Sequence, residues 1–227
     1  MAQPPKRGTA TPWSYSSLSA YETCPRRFYL TRISKQVSEP QTEATLHGNE
    51  VHSALEKYVG GKFDLPAKYD NYRPIADKLK AAPGQKLLEY KFGLTKTLQP
   101  TTFFGKDVWV RGVLDVCIVK EDTAVVLDYK TGKRKIDMDQ LKLFAGSALS
   151  LWPYVKQVKT GYIWLQTDQM DTEVFKPEDK VTIFQDFAAR VHRMETSEKN
   201  DDWPAKPSGL CRAWCPVGKA LCEHCGS

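Results

Sequence analysis

No apolar run in the sequence approaches the roughly 18 residues that a membrane-spanning helix requires, which argues against an integral membrane protein. The first residues, MAQPPKRGTATP, are polar and proline-bearing where a secretory leader would have an apolar core, so a cytoplasmic location is expected. No internal repeat or second independent domain is visible either. Nor is there a large excess of one charge: 33 Lys and Arg against 27 Asp and Glu leave a net +6, compatible with a nucleic-acid partner but too modest to identify one. What is present is an ordinary globular composition, 41% hydrophobic and 26% charged over 227 residues, enough for one sizeable core. Four of the six cysteines crowd into residues 211–225, which in a reducing compartment points to metal rather than to disulfides.

The most informative stretch is residues 108–130, VWVRGVLDVCIVKEDTAVVLDYK. Segments rich in Val, Ile and Leu at 108–119 and 124–130 flank the polar run Lys120-Glu121-Asp122-Thr123, a pattern that predicts an antiparallel hairpin. With Glu121 and Asp122 at the centre of the turn, the numbers of paired residues sum to 243, so Asp115 faces Asp128. Lys130, two residues on, shares the face of Asp128. Opposed carboxylates repel unless compensated, and the apolar neighbours Val113, Leu114, Val116, Val125, Val126 and Leu127 point to buried strands, where an unpaired charge is costly. A hard divalent cation such as Mg²⁺ would compensate both acids while activating water and polarising a phosphoryl oxygen. Lys130 would then orient or help deprotonate that water, or steady charge on phosphate. The blander alternative is a solvated surface hairpin whose lysine pairs with one of the acids.

Around this hairpin, residues 43–59 read as a helix with Leu46, Val51, Ala54, Leu55 and Tyr58 on its apolar stripe, stopped by Gly60-Gly61. His52 and Glu56 lie one turn apart on it, and an isolated histidine there is ordinarily structural. Residues 62–85 form a connection with a short helix at 74–80. Residues 86–94 alternate as a first core strand carrying Glu89, either a third acid of the site or a solvated strand residue. After the hairpin come the basic turn 131–135 and a helix capped by Asp137 or Asp139 that runs toward Trp152 and bears Gln140 and Phe144 one turn apart. A strand at 158–167, its mate at 172–175 and an amphipathic helix at 177–195 follow. The order predicts an α/β fold, a mixed central β-sheet flanked by helices.

Residues 1–13 read as a disordered tail. Ser16 or Ser17 is placed to cap a helix through Leu18 and Tyr21, with Ser19 and Glu22 as its capping box and Pro25 breaking it. Arg26, Arg27, Arg32 and Lys35, interleaved with Phe28 and Tyr29, form either a wet basic helix face or a set of phosphate and stacking contacts. At the other end a polar linker leads to Cys211-x3-Cys215-x6-Cys222-x2-Cys225, four thiolates that suffice for a closed zinc site; Cys24 by itself reads as a small buried hydrophobe.

Gly112-x-x-Asp115 followed by Asp128-Tyr129-Lys130-Thr131-Gly132 resembles the core of the PD-(D/E)xK nuclease superfamily, in the RecB-like branch that includes CRISPR-adaptation exonucleases and phage recombination exonucleases. Ser16-x-Leu18-Ser19-x-Tyr21 with Cys24-Pro25-Arg26-Arg27-Phe28-Tyr29 is similar to that branch's amino-terminal signature, and His47-Gly48-x3-His52-x3-Glu56 to its histidine motif, so the resemblance covers most of the chain. It implies a restriction-endonuclease-like nuclease domain over 14–198 and a cysteine-rich segment over 199–227 that packs on the first helix. In that frame His52, Asp115, Asp128 and the Tyr129 carbonyl hold Mg²⁺ or Mn²⁺, Glu89 is an additional acid, and Lys130 positions and activates the attacking water. Gln140 positions the substrate strand as in the branch's Gln-x-x-x-Tyr motif, from which Phe144 departs by losing the phenol's hydrogen bond. Arg26, Arg27, Lys133 and Arg134 are the expected nucleic-acid contacts.

Several RecB-like nucleases hold a [4Fe-4S] cluster on one amino-terminal and three carboxyl-terminal cysteines, which Cys24, Cys211, Cys215 and Cys222 match. The gaps are longer here, Cys225 is a substitute for Cys222, and zinc is the alternative because soft thiolates suit both. The function implied is a metal-dependent DNA exonuclease acting on single-stranded or duplex ends in recombination, repair or phage replication, beside a recombinase, single-strand-binding protein or helicase. The alternative is a catalytically weak or inactive DNA-binding subunit on the same fold; intact Asp115, Asp128 and Lys130 argue against it, because binding alone needs phosphate contacts and not paired acids.

Overall fold

The computed structural model describes residues 11–135 and 137–226. In chain order its helices are α1 (Tyr15–Thr23), α2 (Pro25–Phe28), α3 (Glu43–Val59), α4 (Arg73–Ala81), α5 (Asp139–Leu151), α6 (Asp179–Asn200) and α7 (Leu210–Ala213). Its strands are β1 (Gln85–Leu94), β2 (Pro100–Thr101), β3 (Val110–Lys120), β4 (Thr123–Lys130), β5 (Gln157–Trp164) and β6 (Gln169–Phe175). Two compact units result, one from Thr42 to Gln185, the other from the two terminal segments, up to Gln41 and from Asp186. These boundaries differ from the sequence-drawn ones at 14–198 and 199–227, because segments far apart in sequence cluster with each other. Among the described residues no helix is long and apolar enough to cross a membrane.

The first unit is the expected mixed sheet flanked by helices, in the strand order β2-β1-β3-β4-β5-β6. All neighbouring pairs are antiparallel except β4 and β5. The β3–β4 hairpin has the anticipated register, from Val116↔Leu127 to Lys120↔Thr123, and Glu121 takes the left-handed backbone (φ 52) that turns the chain in two residues. Parallel strands need a crossover, and α5 is that crossover between β4 and β5. Asp128 and Lys130 therefore sit at the carboxyl end of β4, where crossover folds place their sites.

Each sheet face is covered by a helix expected from the sequence, α3 by its apolar stripe and α5 by its end signals. On one face α5 packs Leu141 with Tyr162 and Trp164, and Phe144 meets Phe92 edge-on at 6.3 Å. On the other, Val51, Leu55 and Tyr58 of α3 and Leu79 of α4 pack with Val116, Ile118, Leu127, Tyr129 and Ile163. Thr42 caps α3 by accepting from the Thr45 amide at 3.2 Å.

β1 and β3 do not keep one face throughout. Leu88 and Val116 lie in the cluster with α3, yet Tyr90 meets Trp152 at the end of α5 at 5.8 Å and Phe92 meets Phe144. Residues two apart on an unbroken strand share a face, so alternation is reset between them. The reset falls at Glu89 and Asp115, the level skipped between the pairs Leu88↔Val116 and Tyr90↔Leu114. Glu89 there has φ 48, a left-handed backbone that costs a non-glycine residue about 1–3 kcal/mol.

In the unit formed by the terminal segments, α1 is capped by Ser14, whose side chain and that of Ser17 exchange bonds with each other's backbone amides. This corrects the expected cap at Ser16 or Ser17 and the expected Ser19–Glu22 box: Glu22 instead pairs with Arg190 at 2.6 Å. Residues 1–10 of the expected disordered tail lie outside the described residues; Thr11 is already bonded to Glu198 at 3.1 Å, and Trp13 is buried, stacked on Phe187 at 5.6 Å. The Arg26 amide donates to the Pro204 carbonyl (3.2 Å), and Leu30 is buried with Val217 and Cys225.

Candidate active site

Three carboxylates arrive at one level of the sheet from three neighbouring strands. The β1–β3 register sets Glu89 across from Asp115, and the β3–β4 register sets Asp115 across from Asp128. Asp115 uses its side chain where the ladder stops: its Oδ2 accepts the Tyr129 amide at 2.9 Å. His52 of α3 lies over the same point, with Nδ1 3.3 Å from Asp115 Oδ2 and Nε2 3.1 Å from the Tyr129 carbonyl oxygen. One donor atom each from His52, Glu89 and Asp115 lie within 4.8 Å of one another, so a shift of under about 1 Å per ligand would bring all three to about 2.1 Å from a shared ion.

Asp128 points to a second, adjoining group. Its Oδ1 accepts from Gln140 Nε2 at 3.0 Å, its Oδ2 is 2.6 Å from the Lys130 ammonium, and that ammonium donates to Gln140 Oε1 at 2.9 Å. Lys130 also lies over the Tyr162 ring at 4.8 Å. The Lys130–Asp128 contact is an ion pair without hydrogen-bond alignment, so the buried Oδ2 has no aligned donor among the described residues. Hard oxygen donors, an imidazole and a buried oxygen with spare lone pairs fit a divalent cation.

The electrostatics agree with the geometry. Burial, then the nearby Asp115 charge, pushes Asp128 up to about 6 against the attraction of Lys130. Burial and Asp115 likewise raise Glu89. For His52 burial opposes the charged form, but Asp115, Asp128 and Glu89 together outweigh it and raise the group. The Asp115 charge hinders ionisation of both Asp128 and Glu89, and a cation beside them would relieve both.

The expected ligand set is thus divided: His52, Glu89 and Asp115 converge, while the Asp128 side chain is turned to Lys130 and Gln140. Tyr129 offers its carbonyl beside His52 and buries its ring in the α3 cluster. Lys133 is exposed, whereas Arg134 is committed to Asp171 (Nε to Oδ2, 2.9 Å), which Trp164 Nε1 also binds at 2.7 Å. In the other unit Arg26 reaches the Leu221 carbonyl at 3.5 Å and Arg27 reaches Glu39 at 3.4 Å. Cys24, Cys211, Cys215, Cys222 and Cys225 all line one recess there, and the amides of Lys206 and Ser208 lie 3.5 Å from the sulfurs of Cys24 and Cys211. Burial, with the thiols of Cys215 and Cys222 beside it, pushes Cys225 up to about 12. Sequence reasoning missed the reset at Glu89, since a glutamate gives no signal of a left-handed backbone, and the bridge that Gln140 makes between Lys130 and Asp128.

The fold and site define an α/β protein in which acids from mid-β1 and mid-β3, an imidazole from α3 and the acid and lysine at the end of β4 gather at one level of the central sheet. The chain belongs to the PD-(D/E)XK nuclease superfamily, whose family model matches residues 12–223. No curated protein sequence matches it significantly. Among solved structures, SSO0001 is similar over 96% of this chain and 86% of its own, at 16% identity and a TM-score of 0.48. A protein from Eubacterium rectale provisionally designated an exonuclease shares the fold over 88% of this chain and 85% of its own, at 12% identity and a TM-score of 0.50.

Proposed function

We propose that the chain is a divalent-metal-dependent deoxyribonuclease that hydrolyses phosphodiester bonds at the ends of linear DNA. The observation that carries this reading is the convergence of His52, Glu89 and Asp115 donor atoms within 4.8 Å, beside the bonded group of Asp128, Lys130 and Gln140. His52, Glu89 and Asp115 would hold Mg²⁺ or Mn²⁺, with Asp128 and the Tyr129 carbonyl as further oxygen donors. Such an ion supplies Lewis acidity at the phosphoryl oxygen and lowers the pKa of water. Gln140 and Asp128 fix the Lys130 ammonium, so its donors are aimed rather than free. It orients the attacking water and stabilises charge that develops on phosphate. Burial of Asp128 keeps bulk water from screening that charge.

Action at ends rather than within the strand accords with the exonuclease designation of the E. rectale protein of the same fold. Cytoplasmic work in recombination, repair or phage replication, beside a recombinase, single-strand-binding protein or helicase, follows from the same reading. The test is incubation with end-labelled linear DNA, single-stranded and duplex, and with closed circles, in Mg²⁺, Mn²⁺ or chelator. Linear DNA should shorten while circles stay intact, chelator should stop the reaction, and Asp128→Ala or Lys130→Ala should lower the rate on the order of 10²–10⁴-fold. Full activity of either variant would refute the assignment. Tight DNA binding by an inert wild-type protein would favour a non-catalytic subunit.

For the cysteine recess we propose a [4Fe-4S] cluster on Cys24, Cys211 and Cys215 with Cys222 or Cys225, zinc being the alternative. The gathering of all five thiols and the amides directed at two of the sulfurs support a thiolate-bound metal. Protein purified without oxygen should show an absorbance shoulder near ~400 nm; colourless protein with stoichiometric zinc overturns the cluster.

A further inference from the structure

The loop between β2 and β3 is braced rather than slack. Gly105 donates to the Thr102 carbonyl at 2.9 Å, Thr101 Oγ1 to Asp107 at 2.7 Å, and the Trp109 amide to the Leu94 carbonyl at 2.8 Å. A Cβ on Gly105 would lie 2.7 Å from Thr101 Oγ1 and 2.9 Å from an Asp107 oxygen, so a larger residue there would have to displace the Thr101–Asp107 bond that braces the turn. This turn holds Phe104 outward beside a half-buried Phe103. Phe104 is 79% exposed, and its ring meets that of Phe103 edge-on at 4.8 Å. The Arg111 guanidinium lies 5.1 and 5.5 Å from the two ring centres, and the Lys91 ammonium 6.0 Å from that of Phe103.

The cluster stands on the sheet face that leads to the acids. Phe92 lies against Phe144 of α5, and a side chain at Gly112 would meet both rings. Strand alternation therefore turns Lys91 and Arg111 to the opposite face, the face of α3 and His52. Arg111 precedes Asp115 by four residues of β3, about 13 Å at roughly 3.3 Å per residue. That is the span of about four stacked nucleotides at ~3.4 Å each. Exposed rings with an open face stack bases whatever their sequence, and adjacent cations meet the phosphates between them.

We infer that Phe103, Phe104 and Arg111 form a stacking platform for unpaired nucleotides of a single-stranded DNA segment, from which the strand leads to the carboxylates. The strand's destination rests on the nuclease reading; the platform itself is testable without it. The probe is a short single strand carrying 2-aminopurine, titrated in chelator, beside hydrolysis of bis(p-nitrophenyl) phosphate in Mn²⁺. Wild-type protein should quench the probe. Phe104→Ala should abolish quenching and weaken binding roughly 5- to 100-fold, while Phe104→Trp restores both. Arg111→Gln should weaken binding and reduce its salt slope by about 1. All variants should hydrolyse the small ester as wild type does, since it is too short to reach the platform. Wild-type quenching and affinity in both Phe103→Ala and Phe104→Ala would overturn the inference, as would an equal loss of ester hydrolysis and binding. Intact quenching by a wild-type protein that leaves the ester untouched would sink the nuclease reading and keep the platform.

Discussion

Asp128 carries its carboxylate where the charge is disfavoured. With its folded-state pKa raised to about 6, the native protein holds a proton that the unfolded chain, with the ordinary aspartate value of 3.8, has already released. Stability contributed by this group therefore falls as pH rises through that window. In metal-free protein, Asp128→Asn should be more stable than wild type at pH 8 by on the order of 1 kcal/mol, roughly 2–4 °C in Tm, and no more stable at pH 4. An equal difference at both pH values, by calorimetry, would contradict the account. Saturating Mn²⁺ should raise the wild-type Tm at pH 8 and do so much less in Asp115→Asn, because binding to the native state alone stabilises it.

At the level of the strand pair, the reset at Glu89 exchanges backbone comfort for aim. A left-handed residue between Leu88 and Tyr90 lets Leu88 pack on α3 and Tyr90 on the end of α5 while the acid is presented to His52 and Asp115. Glycine tolerates that backbone and β-branched residues do not. Glu89→Gly should melt at or above the wild-type temperature, and Glu89→Val should be less stable than Glu89→Gly by about 1–2 kcal/mol, with cleavage lost in both. Identical unfolding curves for the two variants would show that φ 48 is not imposed at this position.

For the molecule as a whole, two units with different sources of stability are joined in one chain. The sheet unit has an apolar core on both faces; in the terminal-segment unit Trp13, Leu18, Tyr21, Phe28 and Phe187 are buried, while the cysteines themselves are backed by the small cluster of Leu30, Val217 and Cys225. A metal on the cysteines would supply folding energy that such a cluster lacks. Replacing Cys215 and Cys222 by Ser should expose residues beyond 199 to protease while β1–β6 remain resistant. Uniform resistance across the chain would indicate thiols without a structural role.

Periodicity and end signals along the chain were enough to foretell α3, α5, the β3–β4 register and the opposition of Asp115 and Asp128, because those depend on local pattern and the length of a turn. The amino-acid order also carried the family resemblance and the grouping of thiols. Only tertiary structure decided that Glu89 joins His52 and Asp115, that Asp128 is held by Lys130 and Gln140 instead, and that Arg134 is engaged by Asp171. These outcomes depend on backbone strain and on side chains from separate elements competing for the same partner, and neither has a period that a linear pattern can show.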